Sequence, residues 1–281
     1  MTVSTDDAPA RRDATGAKER PATELLVAVF FGPLAHRLAR ALRPLRIPPP
    51  AVVLANGVAG LAAAVAVERE WLVAAAILLQ LKTLLDNADG RLARLTGRVT
   101  RFGRFLDTDV DLVVNVALFV ALASVTGQPW LALAAFVALT ILLSVSFNAG
   151  ELYREAHGSP PSLPPPTGSR PERATEGFYR LVFGPQDRVI RDVVSTRLDA
   201  IVAREPDLRQ RAVREYHDRE TMVVLANLGL STQLAGLGAC LVLGAPSAYL
   251  WLVLAAVALV PLLQLRRERL VRRALSAPRE A

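Results

Sequence analysis

The sequence predicts an all-α, polytopic membrane protein with six transmembrane helices, preceded by an amphipathic helix lying in the membrane interface. Three observations predict it. Of 281 residues 52% are hydrophobic, yet the net charge is +7; an apolar bulk with segregated charge suits a membrane protein rather than a soluble globule. Apolar runs of bilayer length recur between Ala51 and Leu265. Arginine is concentrated on one side of those runs, as the positive-inside rule requires. Cys240 is the single cysteine, so disulfides and cysteine metal sites are excluded, and it reads as a small buried hydrophobe.

Residues 1–21 are polar and aperiodic, and read as a disordered tail. Over 22–47, Arg37, Arg40, Arg43 and Arg46 recur every three residues while Leu34, Leu38, Leu42 and Leu45 take the other side. That is the pattern of an interfacial helix, and Pro48-Pro49-Pro50 breaks it. The apolar stretch Leu25–Phe31 is followed by these arginines rather than by a cleavage site, so it is no secretory signal. Residues 48–152 hold spans one to four: Ala51–Val67, Trp71–Leu95, Leu106–Thr126 and Trp130–Leu152. The apolar part of the second ends at Leu85, too short for a ~30 Å hydrocarbon core, so the helix must continue through Asp86 and Asp89.

Residues 153–220 form an insertion that opens on proline-rich, extended chain and continues as an amphipathic sequence. It predicts one or two cytoplasmic helices on the membrane face, either solvated and structural or capping the site. Residues 221–265 supply spans five and six (Thr221–Leu243 and Ala248–Leu265), and 266–281 is a basic tail. The turns after spans one, three and five contain Arg69 alone among arginines, whereas Arg91, Arg94, Arg98, Arg101 and Arg104 lie on the other side. Both termini and the acidic cluster are therefore expected in the cytoplasm, with Trp71, Trp130 and Trp251 in an outer aromatic belt.

The most informative run is Asp86-x2-Asp89-Gly90-x2-Ala93-Arg94-x8-Gly103-x3-Asp107-x3-Asp111. On a helix, Asp86, Asp89, Gly90 and Ala93 share one face, and so do Gly103, Asp107 and Asp111. Two helices joined by the Leu95–Phe102 turn can point four carboxylates at a common centre, with a glycine beside each pair for close approach of a ligand. Asp109 falls about 200° from its neighbours on the helical wheel and is not expected to be a ligand. A calcium loop is excluded, because placing Gly90 at its sixth position puts Leu85 and Thr96 at ligand positions.

This run resembles the signature of the CDP-alcohol phosphotransferase family at every defining position. The resemblance implies an integral membrane enzyme of phospholipid synthesis. It would move a phosphoalcohol, most often phosphatidyl from CDP-diacylglycerol, to an acceptor alcohol and release CMP. It also implies Mg²⁺ or Mn²⁺, one ion or two, on Asp86, Asp89, Asp107 and Asp111, with Asp111 taking the acceptor proton. Gly90, Ala93, Arg94 and Gly103 would then receive the nucleotide. A multi-pass cell-membrane location, a homodimer and no nucleic-acid partner complete the expectation. A membrane prenyltransferase and a non-enzymatic transporter with an intramembrane metal site are the alternatives. The chain departs from the family pattern before the first span: Ala51 and Leu54 stand where many members have Asn and Thr, and Asn56 is a candidate replacement. Lys82, one turn before Asp86, is expected either to pair with it or to reach for the interface. His36, His157 and His217 read as surface residues.

Overall fold

The computed structural model describes residues 22–159, 162–203 and 206–276. The tail at 1–21 and the chain beyond Ser276 lie outside the described residues. A π-helical turn, Val27–Phe31, leads into α1 (Gly32–Leu42). Ala35 and Ala39 are fully buried against the bundle while Arg37, Arg40 and Arg43 stay exposed, and of the leucines set opposite those arginines Leu34 and Leu45 are exposed as well. Pro49 and Pro50 occupy the first turn of α2 (Pro49–Glu68), where a missing N–H costs nothing. There follow α3 (Leu72–Leu95), α4 (Arg101–Thr126) and α5 (Pro129–Ala156).

Five helical stretches among the described residues are long and apolar enough to cross a membrane: α2, α4, α5, the run Arg209–Val242, and Pro246–Ser276. The expected second span, α3, is fully helical but is not one of them, because its second half carries Lys82, Asp86, Asp89, Arg91 and Arg94. None of those side chains is exposed, since α3 packs against α2 and α1 and against α10 (Leu230–Val242). Its charges therefore face protein rather than lipid. Leu79, Val114, Leu118, Leu122, Leu139 and Leu237 form the centre of the core. Two glycines bring α2 onto α4: a Cβ on Gly57 would lie 2.7 Å from Val110, and one on Gly60 2.5 Å from Val114.

The insertion folds as α6 (Arg170–Val182) and α7 (Gly184–Val202), followed by α8 (Arg209–Tyr216). At the start of α6, Ser169 accepts from the Glu172 N–H, and the Glu172 carboxylate accepts from Thr167 and Gly168, a variant of the capping box. The Thr167 hydroxyl, ahead of the backbone donors, holds Glu172 below the usual carboxylate range. Helix α6 packs on α4, and α7 on α5.

The fifth span is interrupted. It consists of α9 (Arg219–Asn227) and α10, separated at Leu228 and Gly229. Glu24 fills the break: its Oε2 accepts from the Thr232 N–H at 2.8 Å and hydroxyl at 2.9 Å. A Cβ on Gly229 would lie 2.5 Å from Glu24 Oε1, so only glycine fits beside that carboxylate. A carboxylate here satisfies orphan N–H groups at a helix start and complements its dipole. The last helix, α11 (Pro246–Ser276), runs through Pro261 and includes the first part of the expected basic tail. It continues because Val271 is buried with Leu198, Val202, Ala212 and Tyr216. His217, expected at the surface, is buried with its ring 5.2 Å from that of Tyr216; packing of α8 on α11 encloses it.

Candidate functional site

The acidic run folds as the end of α3 and the start of α4. Gly97 turns the chain between them with φ of 67°, a left-handed conformation that favours glycine. Thr100 caps α4 by accepting from the Gly103 N–H at 3.1 Å. Ligand atoms of Asp86, Asp89 and Asp107 thereby come within 4.8 Å of one another. Two like charges about 4 Å apart repel by roughly 4 kcal/mol at an effective dielectric of 20, so three such carboxylates require a compensating cation or protons. Asp89 Oδ2 and Asp107 Oδ1 are buried with no hydrogen-bond partner. Hard oxygen donors, gathered and unsatisfied, fit a divalent cation. Asn56, buried on α2, donates to Asp86 Oδ1 at 3.4 Å.

Asp111 is engaged differently. The Lys82 ammonium donates to its Oδ1 at 2.6 Å, and the Lys82 side chain is 0% exposed. Lys82 thus does not reach for the interface, one of the two outcomes its sequence position suggested, and its hydrogen bond runs to α4 rather than along its own helix. It points across to α4 because Gly60 leaves space: a Cβ there would be 3.2 Å from Lys82 Cδ.

Asp86, Asp107 and Asp111 lie on the wall of a cavity of about 600 Å³. Its apolar lining includes Leu143, Phe147, Met222, Leu225 and Leu230, and Arg104, Arg154 and Arg191 add positive charge. The insertion closes another side with Glu176, Tyr179, Phe183 and Asp187. These residues are anchored, not loosely apposed. Arg101 of α4 pairs with Glu176 at 3.1 Å, and the Tyr179 hydroxyl donates to Asp187 at 2.7 Å. Asp187 also accepts from the buried Asn148 of α5 at 2.7 Å. Burial, then the Asp187 carboxylate, raise the Tyr179 hydroxyl well above the usual tyrosine range, so it remains a proton donor. The insertion therefore forms a wall of this cavity, although Leu181, Val189 and Val193 of its apolar pattern stay exposed.

Gly90, Ala93, Arg94 and Gly103 do not line the cavity. The Arg94 guanidinium lies over Gly90, 3.3 Å from where a Cβ would stand. At Gly103 an added Cβ would meet only Thr100 Oγ1, at 3.3 Å. Asp109 belongs neither to the carboxylate group nor to the lining, in keeping with its helical phase. Asn56 was left open by the sequence, whereas the crossing of Lys82 to α4 and the tight α2–α4 approach at Gly57 and Gly60 were not anticipated. Small residues gathered on one face of an apolar helix are the signal that points to such an approach.

Comparison with known proteins bears on this same segment. Residues 46–161 match the sequence model of the family described as CDP-alcohol phosphatidyltransferase. A "Bifunctional IPC transferase and DIPP synthase" of Aquifex aeolicus is 34% identical over 112 residues, covering 38% of this chain and 26% of the relative. A protein of the same description from Thermococcus kodakarensis is 32% identical over 114 residues, covering 39% and 26%. The chain thus spans about a quarter of the length of these curated relatives. No solved structure matches. The matched segment contains α2, α3, α4 and α5 with all four signature carboxylates, so the similarity to the CDP-alcohol phosphatidyltransferase model falls on the segment that builds this site.

Proposed function

We propose that the chain is a divalent-metal-dependent phosphotransferase that moves a phosphoalcohol from a CDP-activated alcohol to an acceptor hydroxyl, releasing CMP. The observation that carries this reading is the convergence of Asp86, Asp89 and Asp107 within the family-matched helices, with Asp86 and Asp107 on the wall of a cavity. Asp86, Asp89 and Asp107 would hold Mg²⁺ or Mn²⁺. Such an ion supplies charge neutralisation for a diphosphate and its transition state. Asp111, on the cavity wall, takes the acceptor proton. Gly90, Ala93, Arg94 and Gly103 receive the nucleotide, for which the planar Arg94 fork suits a phosphate. Arg104, Arg154 and Arg191 favour an acceptor that itself bears a phosphate.

CDP-diacylglycerol is the donor in this reading, which places the chain in phospholipid synthesis. The apolar side of the cavity formed by Leu143, Phe147, Leu225 and Leu230 supports it. A soluble CDP-alcohol is the second reading, favoured by the charged wall that α6 and α7 set across the same space. Neither activity in the relatives' descriptions is carried over whole, because the match covers only part of those proteins. A cytoplasmic site and termini follow from the arginine asymmetry, and exposed Trp71, Trp130 and Trp251 support that orientation. The exposed stripes Val113, Val116, Val120 on α4 and Leu133, Val137, Ile141 on α5 offer faces for a homodimer.

Purified protein in detergent should release CMP from CDP-diacylglycerol when given a panel of acceptor alcohols and Mg²⁺ or Mn²⁺. Excess EDTA should abolish turnover, and re-added metal should restore it. Release from a water-soluble CDP-alcohol alone would select the second reading, and no release from any CDP-alcohol would overturn both. Undiminished turnover in EDTA would remove the metal. Asp109→Asn is expected to keep turnover within about threefold of wild type, the usual outcome away from a site's working groups; a loss matching that of Asp107→Asn would return Asp109 to the centre.

A further inference from the structure

Four carboxylates brought together from two adjacent helices have oxygen ligands enough for two divalent cations. The arrangement around Asp111 argues for a different use of the fourth. We propose that the Lys82 ammonium stands in for a second divalent cation. Asp86, Asp89 and Asp107 then bind one ion, and Asp111, held by Lys82, stays outside its coordination shell. The proposal rests on the metal-dependent reading above and specifies the composition of that centre.

Three observations carry it. The ligand atoms that approach within 4.8 Å of one another belong to Asp86, Asp89 and Asp107. Asp111 follows Asp107 by one turn of the same helix, yet its Oδ1 accepts from Lys82 Nζ at 2.6 Å, an ammonium–carboxylate contact at the short end of the range. The Lys82 side chain is 0% exposed and so cannot withdraw into water when a metal arrives. Finally, the protein is built to direct the lysine inward. Gly60 gives its stem room, and a Cβ there would be 3.2 Å from Lys82 Cδ and 2.5 Å from Val114.

A divalent ion bound to Asp111 would sit within a few ångströms of a buried positive charge, in surroundings that screen it poorly. Lysine and metal are therefore competitors for the same carboxylate. The lysine differs from an ion in chemistry as well as in charge. An ammonium offers three hydrogen-bond donors but no open coordination position, so it orients Asp111 without binding the acceptor oxygen itself. Lys82 is accordingly a positioning residue, acting through Asp111.

Metal stoichiometry tests this without recourse to turnover. Mn²⁺ titrated into the purified, metal-stripped protein and followed by electron paramagnetic resonance should load to a single ion per chain with an isolated-ion spectrum. Lys82→Met frees Asp111 and should load to two, with the broadened spectrum of a coupled pair. Lys82→Arg, which keeps the charge, should stay at one, and Lys82→Met/Asp111→Asn should return to one. Two ions on the wild-type chain would overturn the proposal, and so would a single ion on a folded Lys82→Met variant. If Lys82→Met fails to fold, the wild-type stoichiometry still decides. No Mn²⁺ on the wild type would overturn the metal reading itself.

Discussion

Asp107→Asn is expected to lose turnover by roughly 10³-fold while leaving the protein folded. A metal at a transferring phosphoryl group contributes several kcal/mol of transition-state stabilisation, and each 1.36 kcal/mol is a factor of ten in rate. Asparagine keeps the shape of the carboxylate but not its charge, so the ligand set loses one of its three hard anionic donors. The sign of the stability effect is opposite. Without metal, Asp86, Asp89 and Asp107 crowd within 4.8 Å of one another, and removing one charge relieves that repulsion. The metal-free variant should therefore melt at or above the wild-type temperature. At about 100 times its dissociation constant, Mn²⁺ should stabilise the wild type by ~2.7 kcal/mol, and that shift should vanish in the variant. Turnover near the wild-type rate, or an undiminished Mn²⁺-induced shift, would remove Asp107 from the centre.

Asp111→Asn should separate proton transfer from metal binding. Asparagine cannot take a proton, and loss of a general base costs roughly 10²–10⁴-fold in turnover. Mn²⁺ binding should be retained, because Asp111 contacts Lys82 rather than the three-carboxylate group. The variant leaves a buried ammonium without its carboxylate, and breaking such a pair costs up to about 3–5 kcal/mol. Asp111 is 19% exposed, so the lower end applies. Lys82→Met/Asp111→Asn should recover most of that stability and none of the turnover. Recovery of both would mean that Asp111 serves only to neutralise the lysine.

These two expectations draw unequally on the sequence. The approach of Asp86, Asp89 and Asp107 was legible because helical phase is a local property: spacings of three and four residues fix a common face whatever the bundle does. The same phase argument set Asp109 aside. Lys82 was harder. Its local partner at i+4 was Asp86, but its actual partner sits on another helix, and only the space left by Gly60 makes that crossing available. The apolar pattern of α6 and α7 did not say which surface they meet, since docking depends on single contacts such as Arg101 with Glu176, while Leu181, Val189 and Val193 stay exposed. Likewise, continuous hydropathy from Thr221 to Leu243 concealed the break at Gly229, because its cause, Glu24, lies in a distant part of the chain.

That distance has a consequence for biosynthesis. Glu24 emerges from the ribosome 208 residues ahead of the Thr232 whose N–H and hydroxyl it accepts. At about 5–20 residues per second the wait is on the order of 10–40 s. Throughout that interval the segment leading into α1 has no Thr232 to hold, and the cavity lacks the stretch of wall where Glu24 meets Gly229 and Ser231. The nascent chain can assemble its four carboxylates early, since they lie on two consecutive helices, yet it cannot enclose a reaction around them until the segment carrying Gly229 and Thr232 has been made. A segment translated ahead of the carboxylates is thus among the last to finish docking, and the order of synthesis itself delays the competent site.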